Sequence, residues 1–520
     1  MYRFILPIVI LTALLLCLSI AHRQSLWSDE FFSLAMASGH SLEHPAKKAR
    51  AQWGDFIEGS AAQRAEYWKT FSRINGAGPR EVLRAVERSD TSPPLYYLLL
   101  HFWMLLLGSN ALALRSLSIL FFLLSIWIFW KVARRHLDSE SALLATVIFA
   151  LCPLSLRYAT EGRHYSLLLL FCLLTIHIFQ STWEKELSGA AFMELFIVAL
   201  AGFYTHYFFA FLFLPCSLLA LYRKARWRKR LLGLFALLAL ALSPWYLKLP
   251  SMLETWRVTA DWLHGSPGVG ELLLRPFLAP YRLFSGLLQP RISSALVFIA
   301  ILLLGRERSK SSGSLDELLL IALWGPIASL SFFDGLLDYH SSSEIRYHLA
   351  ALPALCILYG QVLAALRKRW GLSLPLLLLA TTVLLQGGWR DNLIHPFRHG
   401  EDYRSIALWL EERLGAGDLL IVDSIPSGVI GIAHYMDDES KVAAWVEALG
   451  QRELPESGME LIARKQRVFL LSIHRFVEQT ALSLWLEKRA MEITEERFAL
   501  AKVEVFISDR PLGFFFAREQ

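Results

Sequence analysis

A chain of 520 residues is long enough for several soluble domains, but 55% hydrophobic and only 19% charged residues, with a mean hydropathy of +0.41, exclude such a set. The formal charge of +6 invites a nucleic-acid reading, yet Lys and Arg fall mainly between apolar runs, where they report membrane orientation, so no nucleic-acid partner is inferred. The five cysteines all lie inside apolar runs without a CxxC pair, which supports neither a disulfide framework nor a structural zinc site.

The chain opens Met1-Tyr2-Arg3 and stays apolar to Ala21, longer than a usual secretory core. An uncleaved first span is expected, with Ser19-Ile20-Ala21 as the competing cleavage site; either way the following residues are exported. Apolar windows predict spans near 4–22, 112–132, 141–157, 164–181, 190–204, 207–222, 231–248, 293–305, 316–333, 347–366 and 372–388. The basic connections are Lys131/Arg134/Arg135, Lys185, the cluster 223–230, Arg306/Arg308/Lys310 and Arg367-Lys368-Arg369. With Arg3 inside, all of them alternate to the cytoplasmic face, so the positive-inside rule supports both count and orientation. The run 190–222 is too long for one span and is split at Thr205-His206-Tyr207. The apolar stretch 93–108, opened by Pro93-Pro94, would invert everything downstream if it crossed, and is expected to lie as an interfacial helix against the outer leaflet.

This threading predicts a polytopic α-helical membrane domain over 1–389, with about eleven transmembrane helices and exported loops at 23–92, 250–290 and 334–346. An odd span count places 390–520 outside as a soluble domain. Its pattern predicts helices over Asp402–Leu414, Gly428–Met436 and Glu478–Arg489, and strands over Leu419–Asp423, Arg467–Ile473 and Val503–Ser508. That is a small extracytoplasmic α/β module. No Gly-rich phosphate loop opens its helices, so no nucleotide site is assigned.

Several polar clusters interrupt this apolar chain. Trp27-Ser28-Asp29-Glu30 follows the first span directly; adjacent carboxylates there can serve as a general base and an orienting partner, or stand as ordinary solvated charges at a helix end. The turn from Arg157 through Glu161, Arg163 and His164 to Tyr165 places ionisable groups near the hydrocarbon boundary, where they are costly unless paired or wet; a cavity lining competes with a snorkelling Arg157 paired to Glu161. Glu344-Ile345-Arg346-Tyr347-His348 offers a guanidinium and a phenol for a phosphate, or an interfacial anchor. Thr205-His206-Tyr207 is a further polar turn, and Asp90-Thr91-Ser92-Pro93-Pro94 marks a helix start. His395 and His399 beside Glu401 and Asp402 are poor metal ligands, since Pro396 spoils a helical ligand face; no metal site is assigned, and a divalent metal is possible but unsupported. All of the motifs carried into the functional reading map to the outer face under a topology drawn from Lys and Arg alone.

The order of these motifs resembles the glycosyltransferase family 39 type of GT-C membrane glycosyltransferases, which includes protein O-mannosyltransferases and the aminoarabinose transferases of lipid A. The matching residues are Asp29-Glu30, Asp90 to Tyr97, Glu161/Arg163/Tyr165, Thr205-His206-Tyr207, and Arg346-Tyr347 with Pro353, over roughly residues 1–390. The resemblance implies a GT-C fold in a bacterial inner or plasma membrane. It also implies transfer, with inversion, of a hexosyl or pentosyl group from a polyprenyl-phosphate donor to an exported lipid, glycan or protein, with no cofactor required. Asp29 would be the base and Glu30 would position the acceptor. Arg346, Tyr347 and Arg163 would hold the donor phosphate, with Glu161, Tyr165, His206, Tyr207 and Asp90 lining the site. The family commonly carries His or Lys before the Pro pair, where this chain has Ser92; a neutral hydroxyl leaves the donor's charge to Arg163 and Arg346, or to a different hold. A transporter or lipid flippase fits the same topology, but its path should place ionisable groups at midplane, whereas here they gather at one face.

Overall fold

The structure, a computed structural model, describes residues 2–42, 63–89, 92–253, 265, 267–287, 314–371, 373–374, 376–377, 392–393, 398–445, 462–473, 481–509 and 511–512. Contacts divide the chain into two compact units. The first comprises Met1–His22, Leu114–Leu249 and Trp262–Ile394, and the second Arg23–Ala113, Pro250–Asp261 and His395–Gln520. Arg23–Ala113 thus groups with the C-terminal residues.

Among the described residues of the chain, six helices are long and apolar enough to cross a membrane: Ile5–Arg23, Ala111–Ala133, Tyr165–Thr182, Ala225–Met252, Asp316–Leu337 and Ile345–Trp370. Each falls on an expected span. The expected span 141–157 is a broken pair, Ser139–Leu151 and Pro153–Ala159, bent by 52° where Pro153 removes a backbone donor. Asp138 caps the first of the pair, accepting from Glu140 and Ser141 N–H. Gly189–Thr205 and Ala210–Arg223 are shorter apolar helices, and the break between them falls at His206, in extended conformation with φ −159°. Gly202 permits this reversal: a Cβ there would fall on the Phe209 ring. The expected spans 293–305 and 372–388 lie almost entirely outside the described residues, so eleven is an expectation only.

Within the expected outer loop 250–290, Val269–Leu287 is helical and packs in the first unit against the helix Ser314–Leu337. Pro276 and Pro280 within it hid the helix from the sequence reading.

Within this first unit the basic connections gather at one end. Arg223 pairs with Glu317, Arg367 with Glu140, and Lys224 with Glu184, while Trp227 Nε1 donates to the Lys185 carbonyl at 3.0 Å. Helix Tyr165–Thr182 runs from that end to the opposite one, where the turns bearing Arg163, His206 and Arg346 meet.

The second unit is built on a six-stranded sheet. Its strands are β1 (Gln63–Arg64), β2 (Leu419–Asp423), β3 (Lys441–Trp445), β4 (Arg467–Ile473), β5 (Glu492–Arg497) and β6 (Ala501–Ile507), in the order β1-β3-β2-β4-β6-β5. β2 is parallel to β3 and β4; the outer pairings are antiparallel. β2 is buried throughout, as suits a central strand covered on both faces. Three expected strands are found; β3, β5 and the two-residue β1 were not foreseen. Helix Pro426–Tyr435 crosses from β2 to β3, and helix Ser28–Ala37 packs on it.

Candidate active site

The predicted residues fall into two groups, one in each unit. In the second unit, Trp27 precedes helix Ser28–Ala37 in extended conformation. Its indole offers no oxygen to the orphan N–H groups of the first turn, so other carboxylates meet them. Glu30, fully buried, accepts from Trp27 N–H at 3.4 Å. Glu401 Oε2 accepts from Ser28 N–H at 2.6 Å and from the Ser28 hydroxyl at 2.8 Å. The Tyr403 hydroxyl lies 2.8 Å from that of Ser28, completing a small network with Glu401. From Gln24 to Leu42 every residue is buried except Asp29, which is half-buried. The helix thus presents one carboxylate and hides its neighbour.

Around it, Phe31 meets Tyr403 and His434 edge to face, and Gly431 gives these rings room: a Cβ there would come within 3.0 Å of Tyr403. His101 Nδ1, on helix Leu95–Leu107, stands 2.8 Å from the Ala37 carbonyl and ties that helix to the end of the Asp29 helix. Ser92, Pro93 and Pro94 are buried before it, as are Tyr96 and Tyr97; Asp90 lies outside the described residues.

In the first unit, the turn 160–164 joins helices Pro153–Ala159 and Tyr165–Thr182 and is buried throughout. Gly162 is required there because a Cβ would fall on the Leu114 side chain, and the Ser118 hydroxyl anchors the turn by donating to the Arg163 carbonyl at 3.0 Å. The His164 and His206 rings lie 4.6 Å apart, and Tyr165 and Tyr347 approach His206 at 6.2 and 6.3 Å. Arg346, 8% exposed, holds its guanidinium 5.2 Å from the Tyr347 ring and 3.8 Å from Glu344. The charges of Arg346, Arg163 and Glu161 all act on Tyr165.

Two histidines in this cluster are neutral donors or acceptors rather than cations. His206 Nδ1 accepts from Phe208 N–H at 3.0 Å, which leaves the ring proton on Nε2. Burial, followed by the neighbouring His206, Arg163 and Arg346, holds His164 well below the usual imidazole range. Two buried guanidiniums and one buried carboxylate, Glu161, share this cluster, a net positive charge of the kind that suits a phosphate. Tyr207 takes a packing place: its hydroxyl accepts from Trp245 Nε1 at 3.2 Å and its ring meets Tyr246 edge to face.

Three features escaped the sequence reading. Glu401 and Tyr403 looked like loop and helix-start residues. Asp334, a lone acid at the end of an apolar helix, was the one signal for the network that supports the Arg346 turn. His399 stacks on Trp27 at 3.9 Å, and His395 lies outside the described residues.

A family model described as dolichyl-phosphate-mannose-protein mannosyltransferase matches residues 91–247. No curated protein matches the chain. Among solved structures the chain is similar to ArnT from Cupriavidus metallidurans, both in the apo state and bound to undecaprenyl phosphate. Each aligns with a TM-score of 0.60 at 14% identity over 96% of this chain and 97% or 98% of the other. An oligosaccharyltransferase from Archaeoglobus fulgidus tethered with an acceptor peptide aligns at a TM-score of 0.43 and 10% identity, over 86% of this chain and 69% of that one, and nothing is drawn from it. The likeness to ArnT establishes the fold alone: the chain has the GT-C fold, with apolar helices long enough to cross a membrane and a C-terminal sheet.

Proposed function

We propose that the chain is an integral membrane glycosyltransferase that moves a sugar from a polyprenyl-phosphate donor to an acceptor outside the cytoplasm, with inversion. The observation that carries this reading is Asp29, the one half-buried residue of an otherwise buried segment. The matched mannosyltransferase segment, and the undecaprenyl phosphate held by a protein of the same fold, support the lipid-linked donor.

In the proposed reaction Asp29 accepts the proton of an acceptor hydroxyl or amine as that atom attacks the anomeric carbon. The bond from that carbon to the phosphate oxygen breaks, and its electron pair leaves with the polyprenyl phosphate. Charge grows on the phosphate oxygens, where Arg346 and Arg163 stabilise it and Tyr347 adds a hydroxyl donor. Glu161 orients the arginines, and His206 offers its Nε2 proton to the same oxygens. Ser92 contributes no charge, so the two guanidiniums carry the neutralisation. Glu30 is held in place by the Trp27 N–H and keeps Asp29 in register for the acceptor. In this proposal the polyprenyl chain lies in lipid, and the basic connections support an N-terminus inside and residues 390–520 outside.

The test is Asp29→Asn in full-length chain, with membranes given a panel of radiolabelled undecaprenyl-phosphate sugars. Transfer to lipid, glycan or protein is expected to vanish while binding of undecaprenyl phosphate persists. Full turnover by the variant would remove Asp29 as the base, and no transfer by the unmodified chain from any donor would overturn the activity.

A further inference from the structure

The turn 398–403 is bonded to the segment leading into the Asp29 helix at every step. Arg398 Nε donates to the Gln24 side chain, Arg404 Nη1 to the Arg23 carbonyl at 3.3 Å, and Glu401 accepts twice from Ser28. From the next helix along, the Tyr435 hydroxyl accepts from Leu26 N–H at 2.8 Å. The backbone is bent to achieve this. His399 and Gly400 are both left-handed, with φ +51° and +78°, and Glu401 N–H closes the turn on the Arg398 carbonyl at 2.8 Å. A left-handed non-glycine residue costs about 1 kcal/mol, and the stack of His399 on Trp27 offsets it. Ser28 and Glu401 are 373 positions apart in sequence.

We propose that Glu401 is a positioning residue for the candidate base. Its carboxylate caps the first turn of the Ser28–Ala37 helix from outside, fixes the direction in which Asp29 points, and stands beside Asp29 as an anionic neighbour. The inference rests on the reading of Asp29 as the base. A carboxylate suits the place on two grounds: it satisfies an orphan N–H that Trp27 cannot, and it sits at the positive end of the helix dipole.

The electrostatics follow from the geometry. Burial, with the Asp29 charge adding to it, pushes Glu401 up to about 7 against the lowering by its Ser28 and Tyr403 hydrogen bonds. The titratable and charged groups sharing this corner are Asp29 and Glu30 on the helix, Arg398, His399, Asp402, Tyr403 and Arg404 from the turn, and His434 and Tyr435 from the helix Pro426–Tyr435. Glu401 takes on its negative charge through about pH 7, and turnover of the unmodified chain is expected to rise with it.

The experiment compares Glu401→Gln and Glu401→Ala with the unmodified full-length chain in membranes, using radiolabelled undecaprenyl-phosphate mannose. A second readout is amide exchange of residues 24–37 in detergent, with the β2 and β4 amides as fold controls. Glu401→Ala is expected to lower kcat on the order of 10- to 100-fold, with KM for the donor unchanged and exchange across 24–37 increased. Glu401→Gln keeps an acceptor for Ser28, so it should restore exchange protection and most of the rate at pH 6, yet lose the rise through pH 7. Unchanged exchange across 24–37 in Glu401→Ala overturns the proposal, whichever sugar the chain uses. Loss of transfer in Asp29→Asn with unaltered kcat and pH profile in both Glu401 variants also overturns it, while leaving the base in place. An active Asp29→Asn variant instead defeats the reading of the base, and the exchange data still decide the clamp.

Discussion

Arg275 Nη1 stands 3.1 Å from Asp334 Oδ2, with the Arg275 side chain 7% exposed and that of Asp334 fully buried. The pair organises the turn that carries Arg346. Asp334 accepts from Ser341 N–H at 2.9 Å and from Ser342 N–H at 2.7 Å, and Arg275 also donates to the Ser342 hydroxyl at 3.0 Å. His348 Nε2 then meets the Ser342 carbonyl at 2.9 Å. An ion pair between two helices thus fixes the backbone a few residues before the guanidinium assigned to the donor phosphate.

Asp334→Ala leaves two buried turn N–H groups without their acceptor and removes one of the two carboxylates on Arg275, which keeps Glu271, at a cost of about 1–3 kcal/mol. A lowered Tm in detergent and weakened binding of undecaprenyl phosphate are expected. Replacing the pair together, Asp334→Leu with Arg275→Met, should recover much of the Tm but not the binding, because the turn still lacks its anchor. Recovery of both would show that the pair serves stability alone.

Arg346→Ala should weaken undecaprenyl phosphate binding by about 10- to 100-fold, the range of a lost charge-assisted hydrogen bond, with little change in Tm. Arg346→Lys keeps the charge but not the planar fork, so it should recover only part of the affinity. Calorimetric titration of the detergent-purified chain distinguishes them; equal affinity for all three chains would remove Arg346 from the phosphate site.

The turn before Arg163 has a steric test. Gly162→Ala drives a methyl into Leu114, and overpacking of this kind costs about 1–3 kcal/mol. Leu114→Ala opens the space, so the double variant should be more stable than the sum of the single effects allows, read as a positive coupling in Tm. Donor binding should follow the same pattern, since the Arg163 backbone moves with the turn.

What the sequence showed of this fold divides along physical lines. The spans were legible because each is a local run of apolar residues, and the reversal at His206 because chain length forces it, whereas the bend at Pro153 within 141–157 went unread. Val269–Leu287 was hidden by two prolines, and β5, Glu492–Arg497, by a fully exposed and charged sequence of the kind that protects an edge strand. The motif residues Asp29, Arg163 and Arg346 were picked out as polar groups in apolar surroundings. Glu401 was not, because its role depends on a partner hundreds of positions away in a chain that otherwise reads there as a polar turn. Burial of Glu30 beside a half-buried Asp29 likewise depends on tertiary packing that two adjacent acids cannot disclose.

His434 supplies a pH test in the second unit. Burial first, then the charges of Lys69, Arg73 and Arg404, lowers its imidazole to about 4, against 6.5 when free. A group depressed in the folded state binds its proton more readily once unfolded, so its neutral form favours folding above pH 6.5 and that contribution is lost as pH falls toward 4. By pH 5 the loss should reach about 2 kcal/mol. Glu401 works in the opposite sense: raised from 4.5 to about 7, it favours folding below pH 4.5 and loses that contribution as pH rises through 7. Tm of the purified chain between pH 7 and pH 5 reads their difference, and single variants separate them. His434→Gln should shift the balance toward acid stability, and Glu401→Gln should make the fall on acidification steeper. A Tm profile in His434→Gln parallel to that of the unmodified chain would mean that the histidine is not held neutral against Phe31.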